Sequence, residues 1–82
     1  MKDDIKYSIE ISFDEYVGRK VIEYMREKKI SNGALAKLVG ISPQMLSFIK
    51  KGRRGLRATR LYQIANALGK KPSDFIPPKE SN

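Results

Sequence analysis

The chain contains no cysteine and no histidine. The first absence excludes disulfides and thiolate metal sites, and the second removes zinc fingers and the commonest general base of enzymes. Long apolar runs are missing too. None approaches the roughly 18 residues that span a bilayer, and no apolar stretch follows the charged residues 1–4 as it would in a signal peptide. We therefore expect a cytoplasmic protein that is not an enzyme and that needs no metal ion, cofactor or membrane.

Acidic residues are missing from the middle of the chain. All nine aspartates and glutamates lie outside residues 28–73, a window that holds eleven of the 17 lysines and arginines. The net charge is +8 and the calculated pI is about 9.9. Charge of one sign slightly disfavours a compact fold, so its natural explanation is a polyanionic partner. Double-stranded DNA is the first hypothesis, although basic composition alone would also suit a membrane surface or an acidic protein.

The overall composition is that of one small globular domain. Of its 82 residues, 40% are hydrophobic and 32% are charged, which differs from the composition of disordered tails. The residue patterns divide the chain into an N-terminal strand at residues 1–13, a helical domain at residues 14–76 and a disordered tail at residues 77–82.

A strict alternation of apolar and polar side chains runs from residue 5 to residue 13. This period of two predicts a half-buried β-strand. A single strand in a helical chain leaves backbone groups unpaired, so we expect two copies of the chain to pair antiparallel across a two-fold axis. The alternatives are a strand folded back on its own domain, a disordered segment, and strand addition to a partner protein. The residues of the predicted dimer interface are Ile5, Tyr7, Ile9, Ile11 and Phe13.

The first predicted helix spans residues 14–29. Ser12 can cap it, and Glu15 three residues later completes the capping-box spacing. Apolar residues recur at spacings of three and four, which predicts an inward-facing stripe. That stripe consists of Val17, Val21, Tyr24 and Met25.

Two shorter helices follow, joined by a tight turn. Ser31 caps the first, at residues 32–39, and Gly40 ends it because glycine tolerates a left-handed backbone conformation. Ser42 caps the next helix, which has Pro43 at its first position, where the missing N–H costs nothing, and runs to residue 50 or 51. The apolar face predicted for residues 32–39 comprises Leu35, Ala36, Leu38 and Val39.

The last helical elements lie beyond a basic loop. Apolar residues between Leu61 and Leu68 predict a fourth helix, which Gly69 closes. A short turn at residues 73–76 would lay Phe75 on the core before the two prolines that follow.

Several features between residues 17 and 76 occur together in one known family. They are the Leu35–Ala36 pair, Gly40 at the turn, the Ile41–Ser42 step, Leu46 and Ile49 in the third helix, Gly52 after it, and the run Ile64–Gly69. The segment resembles the lambdoid-phage repressor and Cro family of helix-turn-helix proteins, also called the XRE family. The resemblance implies an all-α fold, a compact five-helix helix-turn-helix domain, here with one added N-terminal β-strand. It also implies that the third helix enters the major groove of DNA.

The exposed side of the third helix is predicted to read DNA bases. At about 100° per residue, this side faces away from the apolar anchors of the helix. Gln44 can pair bidentately with adenine, and Pro43 and Phe48 offer apolar contact to thymine methyl groups. Gln44 and Ser47 could instead form a plain solvated face, and Phe48 could pack on a neighbouring loop. The predicted base-reading residues are Ser42, Pro43, Gln44, Ser47 and Phe48.

Phosphate contacts are predicted on both sides of this helix in the sequence. The family commonly uses polar residues at the start of the second helix to grip phosphate, and cations around a glycine-rich loop suit contacts that set register. A solvated charge run is the alternative for the loop. The predicted phosphate-binding residues are Ser31, Asn32, Lys50, Lys51, Arg53, Arg54 and Arg57.

Some positions depart from the family pattern. Many members bury an arginine of the first helix against a glutamate near the end of the recognition helix, and the corresponding residues here are Met25 and Lys50. Because both partners have changed, neither charge is left unpaired in the interior. Arg57 stands where a small capping residue is usual, which weakens the cap of the fourth helix.

The sequence therefore predicts a homodimeric helix-turn-helix transcriptional regulator that represses by binding a palindromic operator in double-stranded DNA. The alternative is an antitoxin or co-regulator whose N-terminal strand binds a partner protein.

Overall fold

The computed structural model describes residues 12–53 and 56–78, which form four α-helices and one short 3-10 helix. The first helix packs against the third helix and the 3-10 helix, and the second packs against the third and fourth. The elements are α1 (Phe13–Lys28), α2 (Asn32–Val39), α3 (Pro43–Lys50), α4 (Ala58–Ala67) and the 3-10 helix (Pro72–Phe75).

The predicted five-helix domain with an added N-terminal β-strand is wrong. Over residues 12–53 and 56–78 the chain is all-helical and has no strand. Phe13 is the first residue of α1, because Ser12 and Glu15 form the capping box that starts the helix there. The fifth element is a single 3-10 turn, since Pro72 begins it and two prolines follow directly after Ile76.

Most of the predicted dimer interface lies outside the described residues. This applies to Ile5, Tyr7, Ile9 and Ile11, and so also to the proposed antiparallel pairing. Phe13 is described, on the first turn of α1, with 49% of its surface exposed. Residues 79–82 of the predicted C-terminal tail are also outside the described part of the chain.

Serine caps start three of the helices, as the sequence predicts. The Ser12 Oγ accepts a hydrogen bond from the Glu15 N–H at 3.1 Å, and a Glu15 carboxylate oxygen accepts one from the Ser12 N–H at 3.3 Å. Ser31 and Ser42 accept hydrogen bonds from the backbone N–H groups three residues later, at 3.1 and 3.0 Å. Each cap satisfies a helix N–H group that has no partner within the helix, so helix starts are set locally.

The core is a single apolar cluster to which every helix contributes. It confirms the predicted inward stripe of α1 and the predicted burial of Phe75, which is fully buried. Leu38 was predicted on the buried face of α2 but is 65% exposed, because the face that packs on α3 and α4 is narrower than the apolar pattern. The largest fully buried side chains are Val17, Val21, Leu35, Leu46, Ile64 and Phe75.

Tyr24 fixes the 3-10 helix to α1. Its hydroxyl donates a hydrogen bond to the Asp74 carbonyl at 2.8 Å, and its ring meets Phe75 edge to face, with ring centres 5.0 Å apart. The Lys70 ammonium lies 4.6 Å from the centre of the Tyr24 ring and pairs with Glu27 at 3.1 Å. The hydrogen bond to Glu27 raises the pKa of Lys70 above its ordinary value. These contacts close the C-terminal end of the core over α1.

Two glycines allow α1 to touch the end of α3 through the backbone. A Cβ added to Gly18 would lie 2.6 Å from the carbonyl oxygens of both Ile49 and Lys50. A Cβ added to Gly52 would lie 2.7 Å from the Cγ of Glu15, and Gly52 also has a positive φ of 73°. Both distances are far below van der Waals contact, so no larger residue fits without moving one element.

We expect Gly18→Ala to lower the free energy of unfolding by about 1–3 kcal/mol, because the added methyl group overpacks against backbone carbonyls that have no room to move. Gly33→Ala is the matched control. Gly33 also lies in a helix, but nothing is within 4 Å of a Cβ added there. This control should raise the free energy of unfolding by roughly 0.5–1 kcal/mol, through helix propensity. Urea denaturation followed by circular dichroism checks both, and a Gly18→Ala variant as stable as the parent protein would contradict the contact.

Candidate nucleic-acid interface

One side of α3 is anchored in the core while the other faces solvent. Leu46 is fully buried and Ile49 is 2% exposed. On the opposite side Gln44 and Lys51 are exposed and Phe48 is 38% exposed. Because the anchors hold the helix rigidly, these three side chains form a fixed stripe along its outer surface. Ser47, predicted on the same stripe, is half-buried at its edge.

The N-terminus of α3 is exposed and carries the first two predicted base-reading residues. Pro43 occupies the first helical position, and Ser42 precedes it as the cap. The Ser42 Oγ accepts the Met45 N–H, which leaves its hydroxyl proton to donate. Ser31 has the same arrangement at the start of α2, where its Oγ accepts the Ala34 N–H.

Asn32 joins the starts of α2 and α3. Its Nδ2 donates a hydrogen bond to the Pro43 carbonyl at 3.2 Å, across a sequence separation of eleven residues. A carbonyl accepts but does not donate, so only the amide nitrogen can face it. The Oδ1 is buried and has no hydrogen-bond partner among the described residues. This bridge was not predicted, because it depends on how α2 crosses α3 and has no signal in the sequence.

Basic side chains follow α3 along the chain. Lys51 and Arg53 are exposed, and Lys50 is half-buried at the last position of α3. Arg57 is exposed and precedes α4 as its cap, without a side-chain capping hydrogen bond, which confirms the predicted weak cap. Arg54 lies outside the described residues.

Ion pairs within residues 12–53 and 56–78 lie away from α3. They join Lys20 to Glu23 at 3.2 Å and Lys70 to Glu27 at 3.1 Å. No described acid forms an ion pair with the cations of α3 or of the loop after it, although Glu15 packs against Gly52 in that loop. The positive potential of this side of the molecule is therefore only partly compensated.

Met25 and Lys50, the two residues that depart from the family pattern, lie next to each other. Both line a surface hollow between α1 and the end of α3. Met25 is buried, and Lys50 is half-buried beside it. The position where the family pattern has an ion pair therefore holds one apolar and one basic side chain, and Met25 offers no charge to Lys50.

No helix in the described part of the chain combines the length and apolar character needed to cross a bilayer.

Comparison with known proteins supports the helix-turn-helix geometry. The chain is 37% identical over 63 residues to the uncharacterized HTH-type transcriptional regulator y4aM of Sinorhizobium fredii, and the match covers 77% of this chain and 44% of that protein. The chain thus spans less than half the length of this relative.

Solved structures show the same fold. The clp gene regulator ClgR of Corynebacterium glutamicum has a TM-score of 0.79 at 26% identity, over 80% of this chain and 70% of that chain. Hydroxypropylphosphonic acid epoxidase of S. wedmorenis has a TM-score of 0.75 at 27% identity, over 79% of this chain but 35% of the epoxidase. That likeness concerns only a part of the enzyme.

The family comparison covers the helices that build the interface. A family model described as helix-turn-helix matches residues 21–75, which include most of α1 and all of the later elements. The chain therefore belongs to the helix-turn-helix family that its sequence resembles, the family of the lambdoid-phage repressors and Cro.

Proposed function

We propose that this protein binds double-stranded DNA sequence-specifically and regulates transcription, as a homodimeric repressor of a palindromic operator. The observation that carries the proposal is the exposed stripe on α3, which buried Leu46 and Ile49 hold in place and whose basic neighbours form no ion pair with a described acid. A helix fits the major groove of B-DNA, about 12 Å wide, and can present such a stripe to base edges. The relative named as a transcriptional regulator and the solved structure named as a gene regulator support the same function.

In this proposal the stripe divides into reading and positioning groups. Gln44, exposed near the start of α3, reads a base edge through its amide. Phe48 and Pro43 contact thymine methyl groups, and the hydroxyls of Ser42 and Ser47 adapt to either donors or acceptors. Phosphates are bound by the residues around this helix, which fix its register on the duplex. The proposed phosphate-binding residues are Ser31, Lys50, Lys51, Arg53, Arg54 and Arg57. Asn32, the remaining residue of the set predicted from the sequence, is proposed instead to orient α3 through its hydrogen bond to Pro43.

The small reach of one helix supports the proposed dimer. A single α3 has eight residues, so one copy covers only a half-site. Two copies related by a two-fold axis would read half-sites about 34 Å apart, which is one turn of the duplex. Repression would result from occupation of promoter DNA.

Selection of bound sequences from a pool of random duplexes tests this function. We expect enrichment of a palindrome whose half-sites are centred one helical turn apart, and a dimer mass for the complex in analytical ultracentrifugation. Retention of all sequences alike would contradict specific binding. A single unrepeated half-site bound by one copy would contradict the dimer while leaving DNA binding intact.

Gln44→Ala should weaken binding to the selected operator by about 1–3 kcal/mol and relax one position of the consensus, because a bidentate base contact is lost. Ser47→Ala on the same helix is the matched control and should have a smaller effect, since Ser47 is half-buried at the edge of the stripe. Fluorescence anisotropy titrations with operator and random duplexes measure both. If Gln44→Ala lowered the affinity for both duplexes equally, Gln44 would contact the phosphate backbone of the DNA instead of a base.

Asn32→Ala should reduce operator affinity by roughly 0.5–1.5 kcal/mol, the net worth of one hydrogen bond, because the start of α3 loses its tie to α2. Random-duplex affinity should change less, since the orientation of α3 matters most for base contacts. Asn66→Ala, the same substitution on the exposed side of α4, is the control. If Asn32→Ala weakened both duplexes equally, Asn32 would act as a direct phosphate ligand, as the sequence alone predicts.

A further inference from the structure

A second cluster of cations lies beside α3, on the C-terminal half of α1. A surface hollow of about 360 Å³ separates α1 from the end of α3. Its floor is apolar, made by Ile22, Met25 and Ile30. Three basic residues rim it, and we refer to them as the α1 cation cluster: Arg26, Lys29 and Lys50.

The α1 cation cluster is not neutralised by any acid that the structure describes. The acids nearest to it in sequence, Glu23 and Glu27, pair with Lys20 and Lys70. Arg26 and Lys29 are exposed. Long basic side chains can lay their aliphatic stems along such an apolar floor and keep their charged ends in solvent. The cluster is therefore suited to bind an anionic surface that approaches from outside.

The α1 cation cluster and the arginines near α4 lie on opposite flanks of α3. Around the outer side of the helix from Met45, at about 100° per residue, Gln44 comes at about 100° and Lys50 at about 220°. Met45 lines a separate hollow together with Arg57 and Arg60, near the start of α4. The stripe that carries Gln44 thus runs between two groups of cations, one on α1 and one at the start of α4.

This arrangement matches the cross-section of a major groove. The groove that admits a helix is bounded by a phosphate backbone on each side, one from each strand. We propose that the α1 cation cluster binds the phosphates of one strand while Arg57 and Arg60 bind those of the other. The inference rests on the proposed DNA binding. It adds Arg26 and Lys29 on one side and Arg60 on the other, and it assigns each flank to a different backbone.

The decisive variant removes two charges of the cluster without touching α3. Arg26→Gln and Lys29→Asn are combined, with asparagine at 29 because Lys29 has a left-handed backbone, with a φ of 58°, which asparagine tolerates. The matched control combines Lys28→Gln and Lys37→Gln. It removes the same charge from exposed positions, and Lys28 points about 200° away from Arg26 around α1. Arg57→Gln with Arg60→Gln tests the opposite flank.

Salt dependence gives the first readout. Each lost phosphate contact should reduce the slope of log K against log salt by about 0.9, so the cluster variant should lose about 1.8 per bound subunit. Operator and random duplexes should weaken alike, because phosphates carry no sequence. The control should keep the parent slope. Equal slopes for the cluster variant and the control would overturn the inference.

Ethylation interference gives the second readout and separates the two strands. Duplexes ethylated at single phosphates should identify contacts of the parent protein on both backbones of each half-site. The cluster variant should lose interference on one strand only, and the Arg57→Gln/Arg60→Gln variant on the other. Loss on the same strand in both variants, or no change for the cluster variant, would overturn the two-strand assignment.

Two controls complete the design. Circular dichroism melting should show that the cluster variant folds, as expected from the exposure of Arg26 and Lys29. If it unfolds, Arg26→Gln alone must reproduce the loss of interference on the same strand, or the inference is wrong. A parent protein whose DNA binding shows no salt dependence would refute the proposed function itself, and this result differs from a failure confined to the cluster variant.

Discussion

The backbone contact between Gly18 and the last turn of α3 is the constraint on which the rest of the interface depends. With no side chain at Gly18, the carbonyl groups of Ile49 and Lys50 approach α1 directly. The contact sets the distance of the helix end from the core. A second close contact follows one residue beyond Lys51, where Gly52 packs against Glu15 of α1. At the other end, the Asn32 amide holds the Pro43 carbonyl. Backbone atoms thus fix the position of the helix at both ends. Its outward side chains contribute little to holding it in place.

Much of this domain could be predicted from the sequence because helix starts are decided locally. The serine caps at positions 12, 31 and 42 act over three residues, and each appears in the structure where the spacing predicts it. The anchors Leu46 and Ile49 follow from helical periodicity in the same way. The exposed stripe could therefore be predicted before its surroundings were known. The roles of its side chains on DNA remain predictions.

The failures have physical causes too. The alternation of apolar and polar residues that starts at residue 5 continues through Ser12 and Phe13. The capping box of Ser12 and Glu15 favours the start of a helix at the same place, so Phe13 is helical. The Asn32 bridge and the neighbourhood of Arg26 and Lys50 depend on how helices cross, which no local pattern encodes. Gly18 did carry a signal. A glycine inside a helix and beside buried positions costs helix propensity, and close backbone approach is a common reason to accept that cost.

The separation of paired acids from uncompensated cations affects how the molecule would meet a charged partner. Glu23 and Glu27 are balanced by Lys20 and Lys70 on one flank of α1, while the cations near α3 form no ion pair with a described acid. A molecule with such a charge distribution has a permanent electric dipole moment, and the field of a polyanion exerts a torque on it. Before the two molecules touch, that torque turns the α3 side towards the polyanion and shortens the rotational search. Screening by salt limits the range of the torque to about 10 Å at 0.1 M salt. The distribution of charge thus bears on the speed of encounter as well as on the strength of the complex.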